Sequence, residues 1–230
     1  TIDTIIETKT ALYRSIKKTQ GTLFVNSNDN VLMQHANQIN KITYGKHINS
    51  KHRGEPISNS FHCGVYLPKY KSNIISQLTG EYNFYNIMAA ITVGLFFNIS
   101  IDKIQTSIAS YTPTNSRSQV IKKGNNILIM DAYNANPSSV EVAIENFANI
   151  KHPRKVVMLG DMKELGSISL SEHQTIVNML KKLSFDEVYL VGNEFYSTNH
   201  YHFHAFSKFD EAAIHIKQAN IQDAIILIKG

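Results

Sequence analysis

The feature that most limits the fold is an alternation in the second half of the chain, where short apolar runs are separated by amphipathic stretches of helical length. The runs Val156-Val157-Met158-Leu159 and Ile225-Ile226-Leu227-Ile228 have no polar phase, so both faces of those strands must be covered. A largely parallel sheet meets that demand, because each crossover lays a helix against one face. The predicted order is strand 119–122, strand 126–131, helix 138–149, strand 155–159, helix 169–183, strand 187–191, strand 201–205, helix 208–219 and strand 224–228. Ahead of it stand helix 2–16, strand 21–26, short helix 31–35, strand 41–44 and a polar loop or irregular hairpin over 45–60. Strands 61–67 and 73–78 and helices 83–97 and 101–111 complete the first half. Thr112-Pro113-Thr114-Asn115-Ser116 reads as a linker, which divides the chain into residues 1–111 and 112–230.

Composition removes several classes of function. At 230 residues and 43% hydrophobic, the chain can bury a core without disulfides or metal staples. The longest apolar candidate, 88–97, is interrupted by Thr92 and Gly94 and falls short of the roughly 18 residues a spanning helix needs, so no membrane span is expected. Cys63 is the single cysteine, which excludes an internal disulfide and fits a reducing cytoplasm. The net charge of +5 comes mostly from scattered lysines, with only Arg14, Arg53, Arg117 and Arg154 as arginine. A phosphate-tracking stripe is lacking, and no nucleic acid partner is expected. The first residue is Thr without a basic leader, so the chain is expected to begin at a cut.

Parallel sheets bind ligands beyond the carboxyl ends of their strands, and two strand ends carry chemistry. In Asp131-Ala132-Tyr133-Asn134-Ala135-Asn136-Pro137, Asp131 can accept two hydroxyl hydrogen bonds such as a ribose offers, Tyr133 can lie on a base and Asn134 can read polar edges. Asn136 and Pro137 suit the start of a helix, and Asp131 serves equally well as an ordinary turn residue. In Gly160-Asp161-Met162-Lys163-Glu164-Leu165-Gly166, the carboxylates of Asp161 and Glu164 can bind an ammonium group or a metal, or simply form a solvated tight loop. Arg117 follows the linker and can meet an anion across a cleft between domains, or lie on the surface. Asn83 is placed to cap its helix, with Asn86 a turn later. His200, His202 and His204 alternate as one face of a strand, read as solvated in preference to zinc-binding, and His173 reads as structural. The sequence contains no G-x-S-x-G, no G-x-x-x-x-G-K-[ST] and no G-x-G-x-x-G.

Taken jointly and in order, these motifs resemble the Mur ligase family in its MurF type. The resemblance rests on Gly80-Glu81-Tyr82-Asn83-Phe84-Tyr85-Asn86 with Ala89-Ala90, Ser116-Arg117-Ser118-Gln119, the 131–137 motif with Ser139, and Leu159 through Gly166. It implies an α/β fold: the latter part of a central ATPase domain over 1–111, then a Rossmann-like C-terminal domain over 112–230, slightly truncated. It also implies an ATP-dependent amide ligase that adds D-alanyl-D-alanine to UDP-N-acetylmuramoyl-tripeptide through an acyl phosphate, working as a cytoplasmic monomer. Asn83 and Asn86 would bind adenine, Asp131 the ribose, and Arg117 the transferring phosphate, with Tyr133 and Asn134 lining the nucleotide side. Asn136, Asp161 and Glu164 would help receive the dipeptide. Lys9 falls where the family carries a lysine that becomes a carbamate and holds Mg²⁺. Tyr82 stands where the family more often has histidine. Because the phosphate loop is missing, the 230 residues alone are expected to be inactive. A folylpolyglutamate synthase-like ligase and a non-catalytic binding module with the same fold are the alternatives.

Overall fold

The computed structural model describes residues 2–57 and 61–230, within two units. One unit takes Thr1–Ser76 and Glu81–Tyr111; the other takes Gln77–Gly80 and Thr112–Gly230.

The first unit opens with α1 (Ile2–Lys18), β1 (Leu23–Asn26), α2 (Asn30–His35) and β2 (Lys41–Gly45). Two short strands follow, β3 (His52–Arg53) and β4 (Glu55–Pro56), in the stretch expected to be a loop or irregular hairpin; its last three residues, 58–60, lie outside the described residues. Then come β5 (His62–Leu67), β6 (Ser72–Thr79), whose residues from Gln77 on are assigned to the other unit, α3 (Phe84–Phe96) and α4 (Ile101–Ser110). Strands β1, β2 and β3 form a parallel sheet, and β4, β5 and β6 form a separate three-stranded sheet in which β4 and β5 are antiparallel. Leu23, Val25, Ala36 and Ile39 form a buried cluster covered by Tyr13 and Ile16 of α1. Phe84, Ile87, Met88 and Ile91 of α3 are buried at helical spacing.

One expectation changes here. Asn83 occupies the N-cap position of α3 but makes no side-chain cap bond. A 3₁₀ turn, Glu81–Asn83, runs straight into the helix and gives Asn83 helical dihedrals, where a capping residue is extended. Its Oδ1 accepts instead from Asn86 Nδ2 at 3.0 Å.

The second unit is built on β7 (Gln119–Lys123), β8 (Asn126–Met130), α5 (Pro137–Ala148), β9 (Lys155–Gly160), α6 (Ser169–Leu183), β10 (Glu187–Val191), α7 (Asn193–Tyr196), β11 (His204–Phe206), α8 (Phe209–Ala219) and β12 (Ile225–Lys229). The six strands lie in the order β11-β10-β9-β12-β8-β7, parallel except for β7, which pairs antiparallel with β8. Val156, Tyr189, Ile221, Ala224 and Ile226 form a buried cluster. Val140, Ile144 and Phe147 of α5 and Ile176, Val177 and Leu180 of α6 are also buried. Each such side chain stabilises the fold by about 1.5–3 kcal/mol through burial. The continuous apolar runs are therefore those of a covered parallel sheet.

The strand expected over 201–205 is shorter and later than its alternation suggests. Tyr201 is left-handed (φ 56°) and Phe203 N–H bonds to His200 carbonyl at 3.0 Å, so a turn occupies this stretch and only His204–Phe206 pairs with β10. His200, His202 and His204 consequently share no strand face. Among the described residues, no helix is long and apolar enough to cross a membrane.

Candidate functional site

Strands β8, β12, β9 and β10 run in one direction, and their registers set Met130 beside Ile228, Lys229 beside Leu159, and Gly160 beside Val191. Whatever follows these strands therefore lies along one edge of the sheet: Asp131, the chain around Lys229, Asp161 and Gly192.

Asp131 is the centre of this edge. Its Oδ1 accepts from Ser118 N–H at 3.2 Å and its Oδ2 pairs with Lys229 Nζ at 2.7 Å. Ser116 (φ 55°) and Ser118 (φ 50°) are both left-handed, an arrangement that costs on the order of 1 kcal/mol or more per residue and turns the chain sharply around Arg117. The segment that reads as a plain linker thus ends in a strained corner. From it the Arg117 guanidinium stacks on the Tyr133 ring, 3.5 Å from the centroid. Tyr133 is 63% exposed, so the stack stands in solvent, with one ring face taken by Arg117. Asn134 is exposed and its carbonyl accepts from Lys229 at 3.3 Å. Asn136 caps α5: its Oδ1 accepts from Ser139 N–H at 2.9 Å while Ser139 Oγ accepts from Asn136 N–H at 3.1 Å.

The second strand end is committed to the backbone. Asp161 accepts from Glu194 N–H and Phe195 N–H, each at 3.0 Å, and so caps α7 from across the sheet edge. Gly192 (φ 126°) makes room for it, since a side chain there would overlap the carboxylate. Buried His173 accepts from Met162 N–H at Nε2 and bonds Ser169 carbonyl through Nδ1, which fixes the Nδ1–H tautomer and ties the loop to α6. Its 3.8 Å approach to Asp161 is a neutral contact on those bonds. Glu164 is exposed and left-handed (φ 64°).

Lys9, Asn83 and Asn86 belong to the other unit. Lys9 is exposed on α1, Asn83 is buried and Asn86 is exposed. Among the described residues, no three His, Cys, Asp or Glu side chains stand together as a metal set. Burial pushes the Cys63 thiol up to about 12, aided by Glu81 and opposed by Lys46, so it is no nucleophile at neutral pH. Sequence reasoning missed two features. One is Lys229, which lies just past the strand expected over 224–228. The other is a cavity of about 220 Å³ lined by Lys51, His52 and Arg53, from the stretch expected to be irregular, and by Lys69 and Tyr70 from between the next two strands.

The comparisons with known proteins fit this architecture. The family description "Mur ligase, glutamate ligase domain" matches residues 116–230, and "Mur ligase middle domain" matches residues 1–94. The chain is 26% identical over 191 residues to the UDP-N-acetylmuramoyl-tripeptide–D-alanyl-D-alanine ligase of Bacillus subtilis, covering 82% of this chain and 41% of that protein. Among solved structures it resembles MurF from Acinetobacter baumannii, with a TM-score of 0.77 and 24% identity over 92% of this chain and 49% of the other. MurF ligase from Thermotoga maritima, solved in complex with ADP, matches with a TM-score of 0.71 and 19% identity, over 91% of this chain and 50% of the other. The chain thus spans about two-fifths of the length of that Bacillus relative.

Proposed function

The chain belongs to the Mur ligase family, and from that premise we propose that it carries the nucleotide- and dipeptide-handling part of an ATP-dependent ligase of the MurF type. The proposed reaction joins UDP-N-acetylmuramoyl-tripeptide to D-alanyl-D-alanine in the cytoplasm, during peptidoglycan precursor synthesis, on a monomeric enzyme. A carboxylate oxygen of the tripeptide attacks the γ-phosphorus of ATP, the bond to ADP breaks, and an acyl phosphate forms. The dipeptide amine then attacks the acyl carbon; phosphate leaves with the electrons of the C–O bond, and the nitrogen gives its proton to solvent.

In this reading residues 1–111 are the latter part of the central ATP-binding domain and 112–230 the C-terminal domain. Asp131 takes the ribose hydroxyls with the acceptor sites that Ser118 and Lys229 leave open, since a carboxylate has about four. Arg117, steadied by Tyr133, meets the charge that spreads over the transferring phosphoryl group. Asn83 and Asn86 read adenine, and Asn134 lines the nucleotide side. Glu164 offers an exposed carboxylate for the dipeptide ammonium, while Asp161 and Asn136 act by shaping their loops. An exposed Lys9 is open to carbamylation, and as a carbamate it would help hold Mg²⁺, an ion that neutralises phosphate charge. The described residues do not by themselves make up a metal set.

The observation that carries the reading is the cluster of Asp131, Arg117 and Tyr133 at the carboxyl edge of the parallel sheet. The sequence holds no phosphate-loop motif, so the 230 residues alone are expected to release no phosphate from ATP. The test is phosphate release by the full-length product of the gene, given ATP, Mg²⁺ and UDP-N-acetylmuramoyl-tripeptide. Release that requires D-alanyl-D-alanine is the expected result. Release that instead requires glutamate with a folate substrate, or no turnover with any acceptor, would overturn it in favour of the folylpolyglutamate or the non-catalytic alternative.

A further inference from the structure

We infer that Lys229 is a positioning residue for bound nucleotide, acting on the ribose through the Asp131 carboxylate; the inference rests on the nucleotide reading above. Lys229 ends β12, the strand beside β8, and is the one buried lysine among the described residues, with its side chain 3% exposed. Its ammonium faces three acceptors: Asp131 Oδ2 at 2.7 Å, Asn134 carbonyl at 3.3 Å and Asp131 carbonyl at 3.4 Å. Three donors therefore meet three acceptors, which is the condition for keeping a charged amine out of water.

Those acceptors bracket the segment 131–134. Lys229 thereby ties both ends of the turn after β8 to a neighbouring strand. It takes one side of the carboxylate while Ser118 N–H takes the other oxygen. A carboxylate held at both oxygens cannot rotate freely, and its remaining lone pairs keep fixed directions for two adjacent hydroxyls. The ammonium has a second effect. An unpaired carboxylate beside a di- or triphosphate would repel it, and the buried cation offsets that charge. A lysine in the last position of an apolar strand is thus accounted for by what it holds in place.

The experiment compares ADP with 2′,3′-dideoxy-ADP, which lacks both ribose hydroxyls, using NMR titrations of the 230-residue chain. Wild type is expected to bind ADP about tenfold or more tightly than the dideoxy compound. Lys229→Met should abolish that preference by weakening ADP alone, leaving the dideoxy affinity within about twofold. Lys229→Arg, which keeps a cation, should fall between. A merely structural loss would weaken both nucleotides alike, and a Lys229→Met variant that keeps the wild-type preference likewise overturns the inference while leaving the nucleotide reading intact. If wild type itself shows no preference, or binds neither compound, the ribose role of Asp131 falls and the inference falls with it. Should Lys229→Met fail to fold, as its amide spectrum would reveal, Lys229→Arg decides: an unchanged preference overturns the inference and a reduced one supports it.

Discussion

A side chain added at Gly192 would overlap the Asp161 carboxylate, on a residue whose φ of 126° already suits only glycine. Gly192→Ala is therefore expected to cost about 2–4 kcal/mol, from strain plus the loss of the two backbone bonds that cap α7. Chemical denaturation would measure it, and a loss under about 0.5 kcal/mol would contradict the geometry. A second expectation concerns Cys63. With its thiol pushed up to about 12 by burial, it should resist a thiol reagent at pH 8 in the native protein and react at once on unfolding. Prompt native-state labelling would show the site to be open. At this scale the sequence was legible where one short motif holds the residues: Asp131, Tyr133 and Asn134 follow a strand end together, although the Lys229 that pairs with Asp131 lies 98 residues on. Asp161 does not announce its role, because the amides it caps lie 33 and 34 residues away and only folding brings them together.

Elements differ in the same way. Helix α5 was readable because its start is local: Asn136 as cap, Pro137 at the first helical position and Ser139 closing the box. Asn136→Ala should accordingly cost about 1 kcal/mol in unfolding free energy, and Asn136→Asp much less, since aspartate caps equally well. The short β11 was misjudged because period-two alternation across 200–204 imitates a strand, whereas the left-handed Tyr201 makes a turn of it. What β11 does contribute is a ring cluster. His204 stacks on Tyr189 at 4.9 Å and meets His215 of α8 at 4.8 Å, while Tyr189 hydroxyl donates to Glu187. Burial, then His215, holds His204 below its ordinary 6.5, with Glu187 pulling the other way. The unfolded chain thus takes up this proton at higher pH than the native one does. The stability concerned is present above about 6.5 and is lost as pH falls through the lowered native value. Thermal unfolding between about pH 7 and pH 5 should show a declining Tm, and His204→Gln should flatten the decline. An unchanged slope in the variant would remove His204 as a cause.

For the whole molecule, the alternation of apolar runs and amphipathic helices was enough to read a covered, largely parallel sheet. The reason is that burial on both faces leaves no polar phase in strands such as β9 and β12. Strand order was not readable: β12, last in sequence, lies between β8 and β9, and only that placement brings Lys229 to Asp131. The first unit was legible as helices and strands but not as a cavity, because the basic side chains at 51–53 and 69 are brought together by separate short elements. The proposed function turns on adenine nucleotide being held at the carboxyl edge of the six-stranded sheet. The most direct measurement is the map of amide shifts when ADP is titrated into the isotopically labelled chain. Shifts concentrated at Ser118 and residues 131–134, lost in Asp131→Asn, are the predicted result; shifts confined to the basic cavity around His52 and Lys69, or none at the sheet edge, would contradict it.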